Sequence, residues 1–138
     1  MMEALAIKDT AYYTSGDIVM TWQTYSSDGG YTWSEIVPTH ILWSPYTPPH
    51  LLRHSSGALI LTFGRRIEPF GQRAAVSYDN GASWTDEYIL NDTGKTPDLG
   101  YAATTELKDG SLLTVYYQAY GDDNFPSFLC TRWNLKDE

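Results

Sequence analysis

Ser77-Tyr78-Asp79-Asn80-Gly81-Ala82-Ser83-Trp84 decides how this chain reads, because Ser26-Ser27-Asp28-Gly29-Gly30-Tyr31-Thr32-Trp33 states the same pattern 51 positions earlier. Both copies fit Ser-x-Asp-x-Gly-x-(Ser/Thr)-Trp. A tight hairpin turn accounts for each fixed position. Short Ser and Asp side chains accept hydrogen bonds from backbone N–H groups that a turn leaves unpaired. Gly30 and Gly81 take the positive φ that an L-residue resists. The hydroxyl residue and the Trp then re-enter a strand, where the indole folds back over the turn.

Working outward, residues 3–8 and 17–25 are β-prone and broken by Ser15-Gly16-Asp17, which predicts two strands leading into the first turn. Residues 32–42 read as the outgoing strand, with Pro38 suiting an edge position. Pro45, Pro48 and Pro49 punctuate a crossover. Strands are then expected at 50–53, 58–63, 73–78 and 83–90, and after a second crossover at 101–107, 111–118 and 127–134. Leu51 to Ile60 parallels Thr105 to Leu113, each an apolar strand, a polar turn with Gly, and an apolar strand. No segment sustains helical periodicity. The expectation is an all-β chain of antiparallel strands in three units, about 1–43, 44–92 and 93–138.

The composition, 42% hydrophobic and 19% charged over 138 residues, is that of a folded domain rather than a disordered segment. A net charge of −8 argues against a nucleic-acid surface, which needs a basic stripe. Cys130 is the lone cysteine, so no intrachain disulfide forms, and His40, His50 and His54 lack zinc-site spacing. No metal and no cofactor are expected. The first residues have neither a basic region nor a long apolar core, and no apolar run is long enough to span a bilayer as a helix. The chain as written reads as cytoplasmic without a membrane partner, and as extracytoplasmic if it is part of a longer secreted protein.

The two turns resemble the Asp-box, or BNR repeat, of sialidase-like β-propellers, with Ser26, Asp28, Gly30, Thr32, Trp33, Ser77, Asp79, Gly81, Ser83 and Trp84 as structural positions. The resemblance extends to Pro49-His50-Leu51-Leu52, Phe63-Gly64-Arg65-Arg66, Pro69-Phe70-Gly71-Gln72-Arg73-Ala74, Asp98-Leu99-Gly100-Tyr101 and Val115-Tyr116-Tyr117. In order and spacing these are similar to the C-terminal half of bacterial sialidase-like exo-glycosidases. The resemblance implies antiparallel propeller blades, about two and a half to three of them, half of a six-bladed ring. It also implies a glycan ligand and places the Asp-box turns at the rim, away from substrate.

Arg65, Arg66 and Arg73 cluster around one loop of an otherwise acidic chain. Planar guanidiniums bind a sugar carboxylate bidentately, and the competing reading is solvated arginines paired with Glu68 or Asp79. The resemblance implies that Tyr101 is the catalytic nucleophile, an exception among glycosidases, and the competing reading is a core or lining residue. A phenol needs a nearby base to be nucleophilic at neutral pH. Asp98 is a candidate acid or sugar-hydroxyl acceptor, or else a turn residue. His50 is a candidate pocket base, or else a packed strand histidine.

These readings leave three functions open: an exo-glycosidase on a terminal, anionic sugar; a propeller enzyme releasing rhamnose or cleaving beside a uronate; and an inactive carbohydrate-binding or assembly module. Three blades cannot close a ring alone. Two copies would make six, so a homodimer completing the ring is one expected assembly, and a fragment of a longer protein is the competing reading.

Overall fold

A computed structural model describes residues 4–8, 20–42, 48–85, 87–119 and 125–136, with side chains throughout except at 4–8, 20 and 40–42. The expected turn at 15–17, the crossover at Pro45 and the Asp122-Asp123 loop lie outside the described residues, as does the side chain of His40.

Among the described residues ten strands follow in order: β1 (Ala4–Lys8), β2 (Met20–Ser26), β3 (Val37–Leu42), β4 (His50–Arg53), β5 (Leu59–Arg65), β6 (Gly71–Ser77), β7 (Tyr88–Asn91), β8 (Leu99–Glu106), β9 (Leu112–Ala119) and β10 (Pro126–Trp133). They form three antiparallel sheets, ordered β1-β2-β3, β4-β5-β6-β7 and β8-β9-β10. The described residues contain no helix. Each sheet is a meander of sequence neighbours, so its hairpins set the register locally. The sheets fall within the three sequence units, and they do not close on one another.

The middle sheet is covered on both sides, and its sequence shows it. β5 and β6 are buried at nearly every position, where a sheet with one wet face would alternate. On one face Leu61, Phe63 and Ala75 pack with Leu51 and Trp84. On the other, Ala58, Ile60 and Val76 pack with Leu112, with Leu52, Tyr88, Trp133 and Leu135 around them. Full burial of side chains such as Ile60, Leu61 and Phe63 contributes about 1.5–3 kcal/mol each.

Polar contacts join the sheets. Gln23 Nε2 and Tyr25 Oη on β2 donate to the Gly81 carbonyl, at 2.7 and 3.0 Å, and the Trp84 indole donates to Gln23 Oε1 at 3.2 Å. Between the second and third sheets, Thr104 Oγ1 bonds both Thr62 Oγ1 and Thr114 Oγ1 at 2.9 Å. At the turns, Ser55 binds the Glu106 carboxylate through its N–H (2.8 Å) and its hydroxyl.

The two turn motifs fold alike. Ser77 Oγ accepts from Gly81 N–H at 2.7 Å and donates to Asp79 Oδ1 at 2.8 Å. Asp79 in turn accepts from the Ser83 N–H (2.8 Å) and hydroxyl (2.6 Å). Ser26, Asp28, Gly30 and Thr32 repeat these bonds at 2.6 to 2.9 Å. The hydroxyl bonds from Ser83 and Thr32, aided by backbone N–H groups, hold both carboxyls down at about 2.

The outgoing strands start later than the sequence suggests. β3 begins at Val37 and β7 at Tyr88, because the chain stays in the turn for several residues beyond each Trp. Paired bonds close these turns: Ser34 N–H donates to Tyr25 O and Thr85 N–H to Val76 O, both at 2.8 Å, while the Ser34 and Thr85 hydroxyls accept the Tyr25 and Val76 N–H groups at 3.0 Å. Pro38 lies on β3, an edge strand, where its missing N–H is tolerated.

Candidate functional site

The start of β8 carries the unusual backbone. Leu99 is fully buried and pins the strand, while Gly100 opposite Tyr117 has φ +130°. The register then shifts before Ala103 meets Val115, so residues 101 and 102 form a bulge. Tyr101 takes φ +49°, a left-handed conformation that costs a non-glycine residue about 1–3 kcal/mol. The result is a tyrosine 63% exposed at the sheet end, its ring stacked on Tyr117 at 5.7 Å and 28°.

Tyr117 Oη donates to Asp98 Oδ1 at 2.9 Å, which orients the carboxylate beside the stacked rings. Desolvation, reinforced by that bond and the Asp98 charge, pushes the Tyr117 phenol up, so it stays protonated as a donor. Arg66 arrives from the loop after β5. Its Nε donates to the Leu99 carbonyl at 2.9 Å, and its charge acts on the Tyr117 hydroxyl against that upward shift. Arg66, Asp98, Tyr101 and Tyr117 therefore sit together: one cation, one carboxylate and two aromatic faces. A sugar uses that combination, with apolar faces stacking on rings while hydroxyls and a carboxylate find charged partners.

The other candidates lie elsewhere. Arg73 is 2% exposed and turned inward. Its Nη1 donates to the carbonyls of Gln72 (2.9 Å) and Asn91 (2.6 Å), its Nη2 to that of Pro69 (3.2 Å), and its Nε lies 3.6 Å from Glu87. Burial pushes its pKa down and Glu87 opposes that. Three carbonyls and a carboxylate use up the guanidinium, so Arg73 clamps the loop and offers no fork to a ligand. The expected pairing with Glu68 or Asp79 is replaced by Glu87. Arg65 also pairs with Glu87 at 3.3 Å, and its Nη2 reaches the Glu68 carbonyl at 3.5 Å. Gly71 permits this clamp: a Cβ there would fall 2.0 Å from the Asn91 carbonyl oxygen.

His50 Nδ1 accepts the Thr104 N–H at 3.2 Å, binding β4 to β8, and burial lowers its pKa. It is thus a neutral acceptor within the packing of two sheets, where the sequence left a pocket base open. Beside the Arg73 clamp, a cleft of about 470 Å³ is lined by Glu68, Pro69, Phe70, Asp92, Gly94 and Lys95. The two turn motifs spend their Ser, Asp and Thr polar groups within their own turns. Among the described residues no group of three or more His, Cys, Asp or Glu side chains is placed to hold a metal ion. No helix among them is long and apolar enough to cross a membrane.

Tyr117 is the site residue to which sequence reasoning gave no functional role. Its tyrosine-rich strand was visible, but its pairing with Gly100 depends on a bulge that no local pattern announces.

No family model matches the chain, and no curated protein matches it. Among solved structures it is similar to the crystal structure of a protein of unknown function from Dyadobacter fermentans DSM 18053. The identity is 24% and the TM-score 0.71, over 85% of this chain and 32% of that one. The chain spans about a third of that protein's length, and the likeness is one of fold.

Proposed function

We propose that this chain is part of a sialidase-like β-propeller and carries the nucleophile side of an exo-glycosidase site for a terminal, acidic sugar. The observation that carries this reading is the strained Tyr101, held at φ +49° and exposed beside Asp98, Tyr117 and Arg66. Backbone strain of that kind persists where the surroundings impose it, and it concentrates at functional sites. The Asp-box turns and the succession of three meander sheets support the propeller scaffold.

Tyr101 Oη would attack the anomeric carbon as the glycosidic C–O bond breaks, the leaving alcohol taking a proton from an acid and the phenol losing its own to a base. A neutral phenol approaches an anomeric centre bearing a carboxylate without the repulsion that an Asp would meet. Arg66 is the cation available to that carboxylate, and Asp98 the acceptor for a sugar hydroxyl. Among the described residues no hydrogen bond holds the Tyr101 hydroxyl, and the nearby carboxylate of Asp98 is bonded to Tyr117. That observation favours a second reading, a sugar-binding module without turnover.

Release of the fluorophore from 4-methylumbelliferyl sialoside and rhamnoside separates the readings. The proposal expects sialoside turnover, abolished in Tyr101→Phe with the circular-dichroism spectrum unchanged. Turnover retained in that variant contradicts it, and sialoside binding with no turnover establishes the module.

A further inference from the structure

The turn between β4 and β5 holds chemistry that the turn itself does not require. It runs His54-Ser55-Ser56-Gly57-Ala58 and closes with two bonds, His54 N–H to Ala58 O and Gly57 N–H to His54 O. The turn between β8 and β9, Leu107-Lys108-Asp109-Gly110-Ser111, closes with the same pair, Leu107 N–H to Ser111 O and Gly110 N–H to Leu107 O. Leu107 there stands where His54 does, and Asp109 where Ser56 does. Asp109 serves its own turn by accepting from the Ser111 N–H at 3.1 Å and from its hydroxyl at 2.6 Å. An imidazole and a hydroxyl are therefore not what this backbone needs at those two positions.

Their side chains meet. Ser56 Oγ lies 2.8 Å from His54 Nδ1, and the Ser56 N–H points at the same nitrogen from 3.2 Å. An N–H can only donate, so Nδ1 is the bare, accepting nitrogen and the Ser56 hydroxyl donates to it. The ring proton is then on Nε2, which faces the Gly110 carbonyl at 3.1 Å and Glu106 Oε1 at 3.3 Å. Ser55 fixes that carboxylate with its hydroxyl and with its N–H, the latter at 2.8 Å. The hydroxyl bond, aided by the N–H, holds the Glu106 carboxyl below its ordinary range, so it is ionised at neutral pH. The His54 side chain is 10% exposed and held at both nitrogens, whereas Ser56 is open to solvent.

We propose that Ser56, His54 and Glu106 are the nucleophile, base and orienting carboxylate of a second site, which hydrolyses activated carboxylic esters. The order hydroxyl, imidazole, carboxylate, with the proton on the nitrogen that faces the carboxylate, is the arrangement that lets a serine lose its proton as it attacks. Tyr101 lies at the other end of β8 from Glu106, on the order of 15 Å away at about 3.3 Å per residue. The site therefore stands independently of the sugar reading.

Ser56 Oγ attacks the acyl carbon while its proton passes to His54 Nδ1, and Glu106 steadies the imidazolium through Nε2–H. Arg53 is the cation beside the turn. It donates to the Gly57 carbonyl and to Asn80 Oδ1 only at 3.4 Å, bonds so long that the guanidinium readily turns onto the oxyanion. Collapse breaks the ester C–O bond, and the departing alcohol takes the proton from Nδ1. Water, giving a proton to Nδ1, then attacks the acyl-serine. The carboxylic acid leaves and that proton returns to Ser56. Because Ser56 sits on an exposed turn, the ester must supply a good leaving group of its own, as an acetylated phenol does.

Two probes test this on the full chain without any sugar: p-nitrophenyl acetate, and a fluorophosphonate whose P–F bond a reactive serine replaces with P–O. The wild type is expected to release nitrophenol at least ten-fold faster than Ser56→Ala, with the circular-dichroism spectrum unchanged. Peptide masses should place a single phosphonate adduct on Ser56. His54→Ala should lose the activity and regain part of it in added imidazole, which supplies a base but no turn contact. Glu106→Gln should lower kcat at least ten-fold at unchanged KM, the mark of a residue that acts through His54. Equal turnover in the wild type and Ser56→Ala overturns the proposal. So does an adduct on another residue or on none, a His54→Ala chain that imidazole leaves inactive, or Glu106→Gln at the wild-type kcat.

Discussion

Tyr101 and Arg73 show how differently one chain can use two residues that looked functional in its sequence. Tyr101 pays in backbone strain for an exposed ring, whereas Arg73 hides its charge to hold three carbonyls in place. Neither role was legible from residue type: a guanidinium in an acidic chain reads the same whether its fork faces a ligand or a loop. Its five donors and their partners become visible only once Gly71 and Asn91 are brought together across the β6–β7 register shift. His50 is the third case, and it makes a pH-dependent prediction. Its Nδ1 accepts the Thr104 N–H, so protonation removes an acceptor from between two sheets. With its folded pKa below the ordinary 6.5, the unfolded chain binds the proton more readily. Its contribution to stability is therefore full above about pH 6.5 and is lost as pH falls through the lowered folded value. Urea midpoints measured from pH 7.5 down to 5 should fall across that window, and less so in His50→Asn, which keeps an acceptor. Equal slopes for both proteins would exclude this role.

Elements were more legible than residues. The Ser-x-Asp turns fix two hairpins because each position in them has one local job, and local jobs can be read from local sequence. Strands β4 to β6 and β8 to β10 were found within two residues for the same reason: apolar runs bounded by Gly turns. The outgoing strands β3 and β7 were placed too early, since the pattern says nothing about how long the chain lingers after the Trp. The two copies also differ in what lies over them, and this sets up a comparison. Trp84 packs against Leu61, Phe63 and Ala75 and bonds Gln23, whereas Trp33 covers only its own turn among the described residues. Trp84→Ala is expected to lower unfolding stability by about 3 kcal/mol, the cost of truncating a packed aromatic. Trp33→Ala, at an indole 46% exposed, should cost about 1 kcal/mol or less. Equal losses in chemical denaturation would show that the turn, not the neighbouring sheet, sets the indole's contribution.

At the scale of the molecule, three meander sheets lie in chain order, the middle one sealed on both faces and the last one open. That arrangement was legible as a count of strands, because hairpins are local, while the packing of one sheet on another depends on contacts between distant residues. The candidate site sits where the scaffold leaves aromatic rings uncovered, at the start of β8 and beside the loop carrying Arg66. Whether Arg66, Asp98, Tyr101 and Tyr117 receive an acidic sugar is read by isothermal titration with the methyl glycoside of sialic acid. Binding to the wild-type chain is expected, weakened at least ten-fold, about 1.4 kcal/mol, in both Tyr117→Ala and Arg66→Ala. Affinity unchanged in both variants, or no binding to the wild type at millimolar sugar, would contradict it.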